Sequence, residues 1–130
     1  MGMVMSNFIF TKEQLEWIEA LESGEYKQCK GLLYDPKTDG FCCLGLACKL
    51  NGVALEDDRY RSGFADQNLS ALPETEDVMN KLHLRDANGR GGLDQDSLTT
   101  LNDYDRASFP SIAARLRAHP EAYFSQGAES

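Results

Sequence analysis

Basic residues are scarce in this chain. Its 130 residues carry 13 Lys and Arg against 21 Asp and Glu, a net charge of −8. Non-specific nucleic-acid binding rests on cations that neutralise phosphates, and no basic cluster is present, so neither nucleic acid nor an anionic lipid surface is an expected partner. The acidity suits a soluble chain, or more sharply one drawn to a basic protein surface. Long apolar runs are also lacking. None approaches the roughly 20 residues needed to span a bilayer, and the N-terminus, Met1-Gly2-Met3-Val4-Met5-Ser6-Asn7-Phe8, has no basic region ahead of a long hydrophobic stretch. It reads as neither a membrane anchor nor a secretory signal, although Gly2 and Ser6 fit the loose myristoylation pattern. There are two histidines, His83 and His119, and no C-x-x-C. That leaves few routes to base catalysis or to zinc.

What is present is ordinary for one small globular domain, with 42% apolar and 26% charged residues. The four cysteines are Cys29, Cys42, Cys43 and Cys48, three of them inside the longest apolar stretch, Phe41-Cys42-Cys43-Leu44-Gly45-Leu46-Ala47-Cys48-Lys49-Leu50. A secreted disulfide framework spaces its cysteines through loops. Here the pattern predicts reduced, buried thiols and a cytoplasmic setting.

That stretch organises the rest. Asp35-Pro36-Lys37-Thr38-Asp39-Gly40 is turn chemistry, and apolar residues on both sides predict a β-hairpin pairing 32–34 with 41–43. From Leu44 the period changes to i, i+3, i+4, which predicts a buried helix stopped by Asn51-Gly52. Upstream, Thr11 is an N-cap whose capping box is completed by Gln14, with Phe10 and Leu15 placed as a hydrophobic staple. Leu15, Ile18 and Leu21 form the apolar face of this first helix, with Trp17 at its edge, and Ser23-Gly24 ends it. Residues 25–30 read as a polar link.

Downstream, 53–72 reads as a long polar loop. Pro73 with Glu74, Glu76 and Asp77 opens a helix carrying Val78, Met79 and Leu82. Asp94 or Asp96 caps a short helix with Leu98 and Leu101. Ser108 caps a last helix with Pro110 in its first turn and Ile112, Ala113 and Leu116 facing inward. Pro120 stops it. The expected architecture is one α+β domain: N-terminal helix, β-hairpin, buried helix, then two or three C-terminal helices. Residues 11–120 form the domain, between an N-terminal segment at 1–10 and a tail at 121–130 that only Tyr123 and Phe124 are able to pin.

Four constellations bear on chemistry. Cys42 and Cys43 stand where strand gives way to helix, and backbone N–H groups there would favour a thiolate, with His83 or His119 as the base; the plainer reading makes both cysteines core residues on opposite faces of a strand. Cys43-x4-Cys48 with Cys29 and His83 totals four zinc ligands, but strand neighbours cannot share a metal and the spacing is not that of a zinc loop. From Asp86 the chain matches a calcium loop at Asp86, Asn88, an apolar eighth position and Asp94, yet Arg90 and Ser97 replace two ligands. Gly89-Arg90-Gly91-Gly92 has neither the preceding strand nor the following Lys of a phosphate loop. No cofactor is expected.

Several pieces recur in a recognisable order: Trp17-Ile18-Glu19-Ala20-Leu21-x-Ser23-Gly24-x-Tyr26-Lys27-Gln28, Lys30-Gly31, Phe41-Cys42-Cys43-Leu44-Gly45, Leu72-Pro73, Leu101-Asn102-Asp103 and Ser108-Phe109-x-x-Ile112-Ala113. This order resembles a group of small uncharacterised proteins found mainly in bacteriophages and prophages, over residues 15–116. The resemblance implies glycine where Cys29 stands and transfers no activity. The expected function is that of a phage-type accessory protein acting through a protein partner or self-association. The alternatives are a Cys-dependent enzyme or ligand binder with a pocket beside the hairpin, built on Cys42 or Cys43 and His83, and a metal-stabilised structural module.

Overall fold

The computed structural model describes residues 8–29, 34–35, 37–53, 73–85, 98–103 and 107–128. The chain is an α+β domain. Helix α1 (Lys12–Ser23) leads into a small sheet of β1 (Lys27–Gln28), β2 (Tyr34–Asp35) and β3 (Gly40–Phe41). Helices α2 (Cys43–Leu50), α3 (Pro73–Leu82), α4 (Leu98–Asp103), α5 (Phe109–Ala118) and α6 (Pro120–Tyr123) follow. Helix α2 is central and touches α1, α3, α4 and β3, while α5 lies along α1.

Helix α1 begins with the expected capping box. Thr11 Oγ1 accepts from the Gln14 N–H at 3.1 Å, and Gln14 Oε1 accepts from the Thr11 N–H at 2.9 Å. Gly24 closes the helix with φ 77°, a left-handed conformation that glycine adopts without steric cost. The buried face departs from expectation. It comprises Gln14, Trp17, Ile18 and Leu21, with Trp17 only 1% exposed, whereas Leu15 is half-buried. A purely apolar reading passes over Gln14, but its amide finds partners inside. Nε2 donates to Leu82 O and to Gln126 O, each at 2.9 Å. One side chain thus caps α1 and ties it to the end of α3 and to the C-terminal segment, and its buried polar atoms are satisfied as burial requires.

The hairpin forms, but closer to its turn than expected. Tyr34 pairs with Phe41 and Asp35 with Gly40, antiparallel. Asp35 Oδ1 accepts from the Lys37 N–H, and Tyr34 donates from its hydroxyl to Asp39 at 2.8 Å. Asp39 takes φ 59°, which tightens the turn and draws the paired residues toward it. Cys42 and Cys43 are therefore not strand residues on opposite faces. Cys42 is the N-cap of α2 and Cys43 its first residue. The segment read as a polar link supplies a third strand, since Lys27 and Gln28 pair in parallel with Gly40 and Phe41. Both side chains of β1 are exposed, so no alternation of apolar residues marks it in the sequence. Gly40 has a steric role here: a Cβ on it would lie 3.0 Å from Thr38 Oγ1 and 3.2 Å from Cys29 Cβ.

Helix α2 buries every residue from Cys43 to Cys48 and ends at Asn51 and Gly52 as expected, with Gly52 at φ 84°. Ser108 caps α5 by accepting from the Ser111 N–H. Pro120 does more than stop α5, because it opens α6. The segment read as a tail runs into the core, with Ala122, Tyr123 and Phe124 all buried. Phe124 stacks with Phe8 and meets Phe10 and Trp17 edge-on, with ring centroids 6.0, 6.2 and 6.1 Å away. Phe124 bridges Leu84 in antiparallel fashion, the Ser125 N–H donates to His83 O, and the Ala128 N–H donates to Ile9 O. Tyr123 and Phe124 are the pins that the sequence offered, and they carry the segment inside.

Most of the long polar loop, and all of the glycine-rich and calcium-like stretch with Asp86, Asn88, Arg90, Asp94 and Ser97, lie outside the described residues. Among the described residues, no helix is long and apolar enough to cross a membrane.

Candidate functional site

The thiols gather at the head of α2. Cys42 Sγ accepts from the Gly45 N–H at 3.3 Å, so a thiol serves as the helix cap. Cys43 Sγ donates to Leu98 O at 3.7 Å, and Trp17 Nε1 donates to Cys43 O at 2.9 Å. Cys42, Cys43 and Cys48 have no solvent exposure, and Cys29 has 8%. Burial, more than the neighbouring Cys43, pushes the Cys42 thiol well above its ordinary range, and burial pushes Cys48 up to about 12. Both are thiols rather than thiolates at neutral pH, and a thiol is a weak nucleophile.

His83 is placed elsewhere. It ends α3 with φ 57°, and among the described residues its hydrogen-bonding neighbours are Asn80, Ser125 and Gln126. The catalytic pairing of His83 with Cys42 or Cys43 is not assembled. Nor is the zinc set, because among the described residues no three His, Cys, Asp or Glu side chains converge to hold a metal ion.

These buried thiols carry a pH signature. In the unfolded chain they lose protons from about pH 9, whereas in the fold they hold them longer. A folded pKa above the unfolded one gives stability that is complete below pH 9 and is lost as pH rises. The urea midpoint is expected to fall from pH 9 upward, toward about 12 where Cys48 itself titrates. Cys48→Ala should remove part of that slope. A slope identical in the variant would contradict the assignment.

A second constellation was not foreseen. Gln28 Nε2 donates to Asn102 Oδ1 at 2.7 Å and to Ala107 O at 2.8 Å, and Asn102 Nδ2 donates to Cys29 O at 2.7 Å. Asn102 is buried. This amide pair latches β1 onto α4 and the start of α5. Its members stand in two of the recurring sequence pieces, the one that ends at Gln28 and the one that holds Asn102, and the bond from Trp17 to Cys43 O joins the first of these to a third. The co-occurrence of those pieces was the available signal, and their contacts are structural.

Described residues line two concavities. A cleft of about 610 Å³ beside the sheet is lined by Lys27, Gln28, Cys29, Asp35 and Thr38. A smaller groove of about 380 Å³ runs between α1 and the end of α2. Ala20, Tyr26 and Leu50 give it apolar surface, and Glu16, Glu19 and Glu25 give it three carboxylates. No cation is among the described residues that line it. Leu50 is 38% exposed, one of two large apolar side chains, with Ile9, exposed to this degree among the described residues. On the neighbouring flank of α1, Arg117 grips Glu22 through Nε and Nη2 at 2.6 and 2.9 Å. Hydrogen bonds from Arg117 hold the Glu22 carboxyl below its ordinary range.

No curated protein and no solved structure matches the chain. A family model does match, described as a domain of unknown function, DUF8296, over residues 11–119. The matched span begins at the Thr11 cap and ends at the His119 cap of α5, taking in α1, the sheet and helices α2 to α5. The chain belongs to the DUF8296 family.

Proposed function

We propose that this protein is a small acidic accessory protein that works by binding another protein, and that it does so through the groove between α1 and α2. The observation that carries this reading is the pairing in one groove of an exposed apolar residue, Leu50, with Glu16, Glu19 and Glu25. Apolar surface at the centre of a contact supplies affinity, while a charged rim selects the partner and speeds encounter. The occupant that fits is a Lys- or Arg-bearing segment with at least one apolar side chain for Leu50 and Tyr26. The net charge of −8 adds long-range attraction for such a segment. The resemblance of the motif order to phage and prophage proteins supports an accessory role. A thiol enzyme finds less support, with Cys42 and Cys48 held protonated by burial and His83 turned to the C-terminal segment.

The test is a photo-crosslinking residue placed at Leu50, with the exposed Ala114 of α5 as the control position. Crosslinks from position 50 are expected on a basic segment of one partner. Glu16→Gln, Glu19→Gln and Glu25→Gln together should weaken capture by about tenfold, ~1.4 kcal/mol, and added salt should do the same. Capture that is indifferent to the triple neutralisation, or equal from positions 50 and 114, would overturn the proposal.

A further inference from the structure

Pairing on both sides of Gly40 sets a cation and an anion in one row across the sheet. Lys27 on β1 and Asp35 on β2 are both partners of Gly40, which is the middle residue of the row. Paired residues of neighbouring strands carry their side chains on the same face, and successive residues of one strand alternate between faces. Phe41, the next residue of β3, is buried in the core, with the Tyr34 ring tilted against it at 5.1 Å. The row through Gly40 therefore lies on the opposite, outer face. That face is the wall of the cleft of about 610 Å³, which Lys27, Asp35, Cys29 and Thr38 line. At a strand spacing of about 4.8 Å, the Cα atoms of Lys27 and Asp35 stand roughly 9.6 Å apart. Between them is no side chain. The space that a Cβ on Gly40 would take is bounded by Thr38 Oγ1 at 3.0 Å and Cys29 Cβ at 3.2 Å.

We infer that this slot binds a free amino acid as its zwitterion, with the carboxylate on Lys27 and the ammonium on Asp35, over the bare backbone of Gly40. The two flanking charges match the two charges of the ligand, and each contact is a charge-assisted hydrogen bond. Among the described residues, Lys27 and Asp35 form no ion pair with each other or with a third residue. Asp35 Oδ1 accepts from the Lys37 N–H at 2.9 Å, which orients the carboxylate and leaves its second oxygen for the ammonium. The stem of Lys27 is long enough to lean over Gly40 toward a ligand held at Asp35. The charge of the whole chain selects in the same direction. A zwitterion has no net charge, so the −8 of the protein does not repel it, whereas a lone anion is repelled from the surface. A lone amine would leave Lys27 facing a second cation. The Thr38 hydroxyl beside the slot suits an amino acid with a short polar side chain. The groove between α1 and α2 takes no part, so this inference stands apart from the protein-binding reading.

The experiment titrates the native full-length chain with L-serine at millimolar concentrations and follows backbone amide signals by NMR. Saturable shifts are expected at Lys27, Thr38 and Gly40 with one common Kd. N-acetyl-L-serine, which lacks the ammonium, and L-serinamide, which lacks the carboxylate, should each bind about tenfold more weakly, the range of one hydrogen bond to a charged group. Lys27→Gln should weaken L-serine by about the same factor and leave L-serinamide unchanged. Asp35→Asn, which keeps an acceptor for the Lys37 N–H, should weaken L-serine and leave N-acetyl-L-serine unchanged. Both positions are at least partly exposed, so the fold tolerates either change. No saturable shift with L-serine, shifts centred away from the sheet, or an affinity indifferent to the loss of either charge from ligand or protein would overturn the inference.

Discussion

Removal of residues 120–130 is expected to leave a chain that does not fold. The deletion takes away Ala122, Tyr123 and Phe124, all buried, and with them the ring against which Phe8, Phe10 and Trp17 pack. It also strips Gln14 Nε2 of its acceptor on Gln126 and unpairs Leu84 and Arg85 from the returning segment. Truncating one buried Phe to Ala costs about 3–5 kcal/mol. A domain of this size has only about 5–15 kcal/mol in total, so losing two large aromatic side chains with their hydrogen bonds is enough to exhaust it. Far-UV circular dichroism and urea titration provide the check. Phe124→Ala should fold with stability lowered by about 3–5 kcal/mol, and the deletion should show no cooperative transition. A deleted chain with a wild-type midpoint would mean that the segment is dispensable. The DUF8296 match ends at 119, so a fragment trimmed to the matched span would omit this part of the core.

Trp17→Ala is expected to be the most damaging substitution in α1, at about 3–5 kcal/mol. Trp17 is buried among the core side chains, meets Phe124 edge-on, and donates from Nε1 to Cys43 O at the first turn of α2. It therefore joins α1, the central helix and the C-terminal segment at one point. Trp17→Phe separates the two contributions. It keeps most of the apolar volume and loses the N–H, and should cost about 1–2 kcal/mol, the range of one hydrogen bond with some lost packing. Chemical denaturation of the two variants reads both numbers. Equal losses would place the whole effect in the hydrogen bond, and a neutral Trp17→Phe would place it in packing.

Where a local rule governs a residue, the sequence was readable. The Thr11 and Gln14 capping box, the Gly24 stop, the Asn51-Gly52 stop and the Ser108 cap depend on neighbours within four positions, and each is found. The α+β architecture followed from the change of period after the turn at 35–40. What escaped was set by partners far along the chain. β1 has exposed side chains, and it is a strand only because Gly40 and Phe41 lie beside it. Gln14 reads as a surface cap until Leu82 and Gln126 are seen to accept from it. The residues at 121–128 have the composition of a tail, and their burial depends on a space left by Phe8, Phe10 and Trp17. Among the candidate site residues, Cys42 and Cys43 read as the end of a strand, whereas they cap and open the central helix. Their sealing from solvent and their separation from His83 are tertiary facts. The groove on α1 was visible only as a row of glutamates, because the exposure of Leu50 beside them depends on how α2 is docked.

The reach of the Gln14 side chain also bears on how the chain comes together in time. Its amide joins residues separated by 112 positions, so the last pieces of the core arrive from opposite ends of the sequence. Closing so large a loop is entropically expensive and is repaid only once the final contacts exist. Folds dominated by such distant contacts are slow to form. On a ribosome, α1 can wind under its own cap as soon as it emerges, but the aromatic cluster around Phe124 must wait until the segment after α5 has been released. Until then the apolar face of α2 is open to solvent and to other chains, so the aggregation-prone interval lasts until residues 120–128 have emerged and packed.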